Sequence, residues 1–215
     1  MDPLTKVFIT ASYQTLYMVS VASILAIILG FIPAVLLVIT DKNGLNPNKY
    51  IFGIIDFIIN ILRSFPFIIL MIAIFPFTKS LVGKTIGTTA AIVPLTIAAS
   101  PFAARIIESA LREVDLGIIE AARSFGASSS QIIVKVMLKE AMPSIVLGIT
   151  LLIINVVGCS AMAGAIGGGG LGDVAIKYGY YRFQTDVMLY TVVILMFLVQ
   201  IIQATGNLIY KDLIK

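Results

Sequence analysis

Five long apolar blocks dominate the chain, separated by shorter polar segments. Leu16–Ile39 is uncharged over about 24 residues, enough to cross roughly 30 Å of hydrocarbon as a helix. Further spans are predicted over 57–77, 86–104, 145–164 and 187–210, the second interrupted by Arg63 and the fourth running into a glycine-rich stretch. The first block is too long for the apolar core of a signal peptide, and no small-x-small cleavage pattern follows it, so it is expected to stay as a helix.

The polar segment 105–143 carries its own pattern. Ile106, Ile107, Ala110, Leu111 and Val114 recur at helical spacing, and Glu108 and Arg112 form an i,i+4 pair. Gly117 and Gly126 bracket a short predicted helix, 118–125. A second amphipathic helix is predicted over 129–141, ending near Pro143. These elements give an all-α membrane protein: one domain, 1–215, of five spans with a structured helical loop.

Composition agrees with that picture: 59% of residues are hydrophobic and 12% charged, against about 25% charged in soluble domains. The net charge of +4 is spread along the chain, with no basic cluster dense enough to read a nucleic acid. With the N-terminus outside, nine Lys and Arg residues fall in inner segments (Lys42, Lys49, Arg105, Arg112, Arg123, Lys135, Lys139, Lys211, Lys215). Five fall outside (Lys6, Lys79, Lys84, Lys177, Arg182). The positive-inside rule then predicts N-out, C-in, with 105–143 in the cytoplasm.

The chemistry on offer is sparse. Histidine is absent and Cys159 is the single cysteine, which removes an intrachain disulfide, a thiolate metal cage and the commonest general base, so no metal site is expected. Gly167, Gly169 and Gly172 spell G-x-G-x-x-G by letter, but a membrane span precedes them where a nucleotide-binding strand is required; a tight turn at the outer end is the better reading. Gly83-Lys84-Thr85 fails as a phosphate loop because Thr78 stands where the leading glycine belongs. Moving any solute against a hundredfold gradient would cost about 2.7 kcal/mol, and nothing in these residues draws that from ATP.

Polar and proline residues inside the apolar blocks are candidate pathway or gate positions. Arg63 lies roughly 9 Å into the second span, on one stripe with Asp56 and Asn60. A central charge is costly in lipid, so the stripe faces protein or water; a pathway lining and a charge held by neighbouring carbonyls both remain open. Pro66, Pro94 and Pro101 read either as hinges or as fixed bends. Ala22, Ala26 and Gly30, and Ser160, Gly164 and Gly168, are small residues at four-residue spacing, the signature of close helix packing.

The most informative stretch is Glu120-Ala121-Ala122, with Gly126 six residues after the glutamate and Gln131, Leu138 and Pro143 beyond. Two alanines leave a surface flat enough to enter a groove, while Glu120 and Arg123 supply polar anchors. This stretch resembles the EAA loop of bacterial ABC importer permeases, departing from it at Lys139, where that family usually has proline. Residues 60–70, 90–96, 100–105, 158–165, 169–172 and 178–180 resemble the methionine-importer branch of that family.

The resemblance implies the type I importer permease fold and a place in the bacterial cell membrane. It implies uptake of methionine, L and D, by alternating access. Glu120, Ala121, Ala122, Arg123 and Gly126 would couple the chain to a partner ATPase, which would bind the ATP and Mg; the chain itself would hold no cofactor and be no enzyme. The implied partners are a second copy of the chain, two ATPase subunits and an extracytoplasmic methionine-binding protein. Arg63, Ser64, Ser160 and Met162 are the candidate pathway residues. A permease for another amino acid, a passive channel and an intramembrane enzyme are the rivals; the channel would need no coupling loop, and the enzyme lacks His and a carboxylate dyad at membrane depth.

Overall fold

The computed structural model describes residues 3–214, and all regular structure among them is helical. The helices are α1 (Pro3–Thr40), α2 (Lys49–Ser64), α3 (Phe67–Ala73), α4 (Phe75–Val82), α5 (Thr88–Arg112) and α6 (Leu116–Ser124). Then follow α7 (129–140, π-helical over Ile132–Met137), α8 (Met142–Ala165), α9 (170–180, π-helical over Ala175–Tyr180) and α10 (Thr185–Ile214).

α1 and α5 form the centre. The small stripe on α1 is buried at Ala22, Ala26 and Gly30, where the two backbones nearly touch: a Cβ on Gly30 would lie 2.6 Å from the Ser100 carbonyl oxygen. The opposite face, with Ile24, Ile28 and Ile32 exposed, has the apolar character of a lipid-facing surface. α8 packs on α5 and carries Leu152, Val156, Val157 and Ala163 into the same core. α10 packs on α8 where Gly206 admits Thr150, a Cβ there meeting the hydroxyl at 2.1 Å. A second core, nearer the 105–143 segment, joins the ends of α1 and α5 to α7 through Leu37, Ile107, Leu111, Ile132 and Met137.

The expected second span, 57–77, takes a different course from a single helix. Helix α2 starts earlier, at Lys49, capped by the Asn48 side chain, and stops at Ser64. Phe65 is extended, as a residue before proline must be. α3 leaves at 100° to α2. Among the described residues, four helices are long and apolar enough to cross a membrane, and the bent α2–α3 pair makes a fifth candidate. The third block also outruns its expected end: α5 continues eight residues past Ala104, to Arg112, despite Pro94 and Pro101.

Candidate functional site

α6 is built to stand off the bundle. Asp115 caps its start by accepting from the Gly117 amide, and none of its residues is buried. Its end is a Schellman motif: the Gly126 amide donates to the Arg123 carbonyl and the Ala127 amide to the Ala122 carbonyl. Gly126 at φ 80° supplies the left-handed residue this stop requires. Ser128 and Gln131 then form a reciprocal capping box that starts α7.

Ile119 and Ala122 turn inward and pack beside α7. Glu120, Ala121 and Arg123 are exposed, and so are Leu116, Ile118 and Phe125, the last at 92%. Phe125 thus stands as a fully presented phenylalanine just past a short helix that lies outside the apolar blocks. Arg123 is tied back to the bundle, its Nη2 donating to the Leu45 carbonyl at 3.3 Å.

A charged cluster joins three elements just above this face. Arg105 on α5 donates to Asp56 and to Asn60 (2.9 Å) on α2, and to Glu108 (2.8 Å) on its own helix. Glu108 is buried and also accepts from Arg112 Nε at 3.0 Å. Arg112 in turn bridges to Asp41, after the end of α1, at 2.8 Å. The Asp41 carboxyl is held below the usual carboxylate range, chiefly by the backbone amide of Asn43, with Arg112 adding to the effect and burial opposing it.

The four candidate pathway residues fall at two levels. Arg63 and Ser64 are exposed in the last turn of α2; the Arg63 guanidinium lies 6.0 Å from the Phe102 ring centre, and Ser64 Oγ donates to the Asn60 carbonyl. Of the stripe Asp56, Asn60, Arg63, the first two engage Arg105 and the third does not. Ser160 and Met162 lie near the other end of α8. Ser160 is 2% exposed and donates to the Val157 carbonyl of its own helix, whereas Met162 is 46% exposed.

The family model for the binding-protein-dependent transport system inner membrane component matches residues 26–211. The chain belongs to this family. The permease is 52% identical over 207 residues to the probable D-methionine transport system permease protein MetI of Vibrio cholerae, covering 96% of this chain and 92% of that one. It is 46% identical to the methionine import system permease protein MetP of Bacillus subtilis, covering 93% and 90%. A solved inward-facing structure of the MetNI methionine ABC transporter superposes with a TM-score of 0.97 at 41% identity, covering 99% of both chains. The crystal structure of an amino acid ABC transporter with histidines shares the fold at a TM-score of 0.80 and 21% identity.

The permease is therefore a membrane-embedded transport subunit with the type I importer fold, and not an enzyme. Its Gly83-Lys84-Thr85 segment folds as the turn that ends α4, with Gly83 at φ 80°. Its glycine-rich stretch is likewise a structural joint: Gln14 and Thr15 of α1 accept from the Gly170 and Leu171 amides, each at 2.9 Å.

Two groups of residues in the permease gave no distinct sequence signal, and a third gave one in plain view. Phe125 and Leu116 look like ordinary apolar positions of an amphipathic helix. Arg105 looks like the first polar residue after a span; its partners on α2 lie 45 and 49 residues away. Asn155, exposed in the middle of apolar α8, was detectable as a polar residue in a span. An amide there faces water or protein rather than lipid, and it shares a helix face with Met162, seven residues on.

Proposed function

We propose that this chain is the permease subunit of a methionine importer, driven by a separate ATPase that binds the ATP and Mg. The observation that carries this reading is the superposition on the MetNI methionine ABC transporter over 99% of both chains. Relatives named for D-methionine transport, beside one named for methionine import with no enantiomer specified, support a site that takes both enantiomers. A passive channel is disfavoured because it would have no use for α6, a capped helix presenting bare apolar side chains outside the spans.

Two copies of the chain pair about a two-fold axis, each docking one ATPase subunit through α6. Glu120, Ala121, Ala122, Arg123 and Gly126 form that face, with Phe125 as its apolar anchor. The exposed Asn155 and Met162 face of α8 supports a pathway at the axis, with Arg63 and Ser64 nearer the inner gate. Ser160 acts there only indirectly, as a packing residue. The N-terminus lies outside, where an extracytoplasmic binding protein delivers methionine, and the C-terminus lies inside. ATP closure of the ATPase pair draws the two α6 helices together and the spans tilt to open outward.

The test is ATP-dependent uptake of labelled methionine in vesicles holding the assembled complex. Unlabelled L- and D-methionine should compete, and polar or charged amino acids should not. Equal competition by all amino acids would remove the substrate assignment; uptake without ATP would favour the channel.

A further inference from the structure

α2 is the least anchored of the long elements. Of its sixteen residues only Ile59 is buried, while Tyr50, Ile54, Phe57 and Ile58 are exposed. Its far end is cut from α3 by the break at Pro66 and the 100° turn. Apolar packing within the chain is confined to one face, where Ile59, Phe52 and Ile55 meet the second core. Arg105 adds polar bonds beside it: its guanidinium spans Asp56 and Asn60, one turn apart. The two acceptors are themselves joined, Asn60 Nδ2 donating to Asp56 Oδ2 at 3.0 Å.

The same guanidinium starts a continuous polar chain toward α6. Glu108, only 5% exposed, holds Arg105 with one carboxylate oxygen and Arg112 with the other. Arg112 reaches Asp41, and the turn 41–48 is locked to the end of α1 by the amides of Asn46 and Asn48 donating to Ile39 and Thr40, each at 2.9 Å. Arg123 of α6 grips that turn at the Leu45 carbonyl. Beside this link lies a cavity of ≈ 200 Å³ lined by Leu45, Leu111, Ile119 and Met137, so α6 does not sit flush on the turn.

We propose that Arg105, oriented by Glu108, is the positioning residue that carries movement of α6 to α2. A shift of α6 pulls the 41–48 turn through Arg123. The turn runs directly into the start of α2 at Lys49 and holds Arg112 of α5 through Asp41. Arg105, gripped with Arg112 by the one Glu108 carboxylate, ties the middle of α2 to α5, so that α2 swings about the Pro66 break as that contact shifts. A buried carboxylate holding two guanidiniums suits this role because its geometry is tightly defined: each partner it loses leaves a charge uncompensated in a poorly solvated place. The inference rests on the proposed docking of an ATPase on α6, and it assigns the transmission to Arg105, Glu108 and Arg112, upstream of the Glu120-Ala121-Ala122 stretch.

The test uses the assembled complex with its ATPase and binding protein in vesicles, reading ATP hydrolysis and methionine uptake in one preparation. Arg105→Gln should raise the ATP consumed per methionine imported severalfold or more, while the hydrolysis rate stays near wild type. Arg105→Lys, which keeps the charge but not the planar fork, should fall between the two. Asp56→Asn, a near-isosteric change at the rim that leaves the Arg105–Glu108 bond in place, guards against misfolding and should also raise the ratio. Hydrolysis and uptake falling together with the yield of complex would mark Arg105 as a structural staple and overturn the proposal, as would an unchanged ratio in both Arg105→Gln and Asp56→Asn. Failure of the wild-type complex to import methionine would instead count against the substrate assignment.

Discussion

The hydroxyl of Thr15 accepts a hydrogen bond from the amide of Leu171 at 2.9 Å, across 156 residues of sequence. Both residues are buried. Gln14 serves the adjoining Gly170 amide in the same way. The first helix thus caps the start of α9 from the side, which fixes the glycine-rich stretch against α1.

Replacing Thr15 with Val keeps the shape and removes the acceptor. A buried amide left unpaired costs about 1–3 kcal/mol, so the thermal midpoint of the detergent-solubilised complex should drop. Gly170→Ala should drop it further, because the new Cβ would lie 2.6 Å from the Thr15 hydroxyl and the backbone holds φ 78°. An unchanged midpoint in both variants would refute the cap.

Gly30→Val drives a side chain into the α1–α5 seam, where the Ser100 carbonyl oxygen stands 2.6 Å from the Cβ position and the obstacle is backbone. Overpacking of this kind costs about 1–3 kcal/mol, occasionally more. Folded yield should fall sharply, and size-exclusion profiles after solubilisation would register it. The exposed Ile28→Val should leave the profile unchanged.

Phe125 separates docking from folding. At 92% exposure it supports little of the chain's own stability, so Phe125→Ala should shift the permease's midpoint by no more than surface substitutions do, about 0.5 kcal/mol. An aromatic anchor removed from an interface centre costs about 2 kcal/mol or more. Capture of the ATPase by the permease, measured as a titration, should therefore weaken more than tenfold. Equal capture by both chains would remove Phe125 from the docking face.

Asp41 gives a pH expectation. Its carboxyl is depressed in the folded chain, mainly by the Asn43 amide, so the group binds its proton more readily when unfolded. Its stabilising effect is then fully present above the unfolded value, about 3.9, and fades only as pH falls through the lower folded value. The Asp41–Arg112 bridge should persist unchanged from pH 8 to pH 5. A stability step in that window that disappears in Asp41→Asn would contradict the depression.

Much of the architecture was legible because membrane solvation leaves a one-dimensional record. A helix crossing hydrocarbon needs an unbroken apolar run, so α1, α5, α8 and α10 stand out as blocks in the sequence. The small stripe Ala22, Ala26, Gly30 announced close packing for the same kind of reason, since spacing along a helix maps directly onto one face. The α6 segment was visible through its glycines and the Glu120-Ala121-Ala122 pattern. Pro66 marked a disturbance in the second block, but local sterics allow many directions after a break, and the 100° turn came from where α3 found apolar neighbours, Leu70 and Met71 being buried.

The sequence by itself determined that this chain lives in a membrane, how many apolar blocks it has, and which polar loop leaves the bilayer, because each depends on residues adjacent along the chain. Only the tertiary structure decided which charges act together. Arg63 drew attention as a charge inside an apolar block, yet it lies against Phe102. Arg105, unremarkable in its local pattern, gathers Asp56, Asn60 and Glu108. Ion pairing depends on distance in space, and the folding that brings α2 beside α5 leaves no periodicity in the sequence from which that distance can be read.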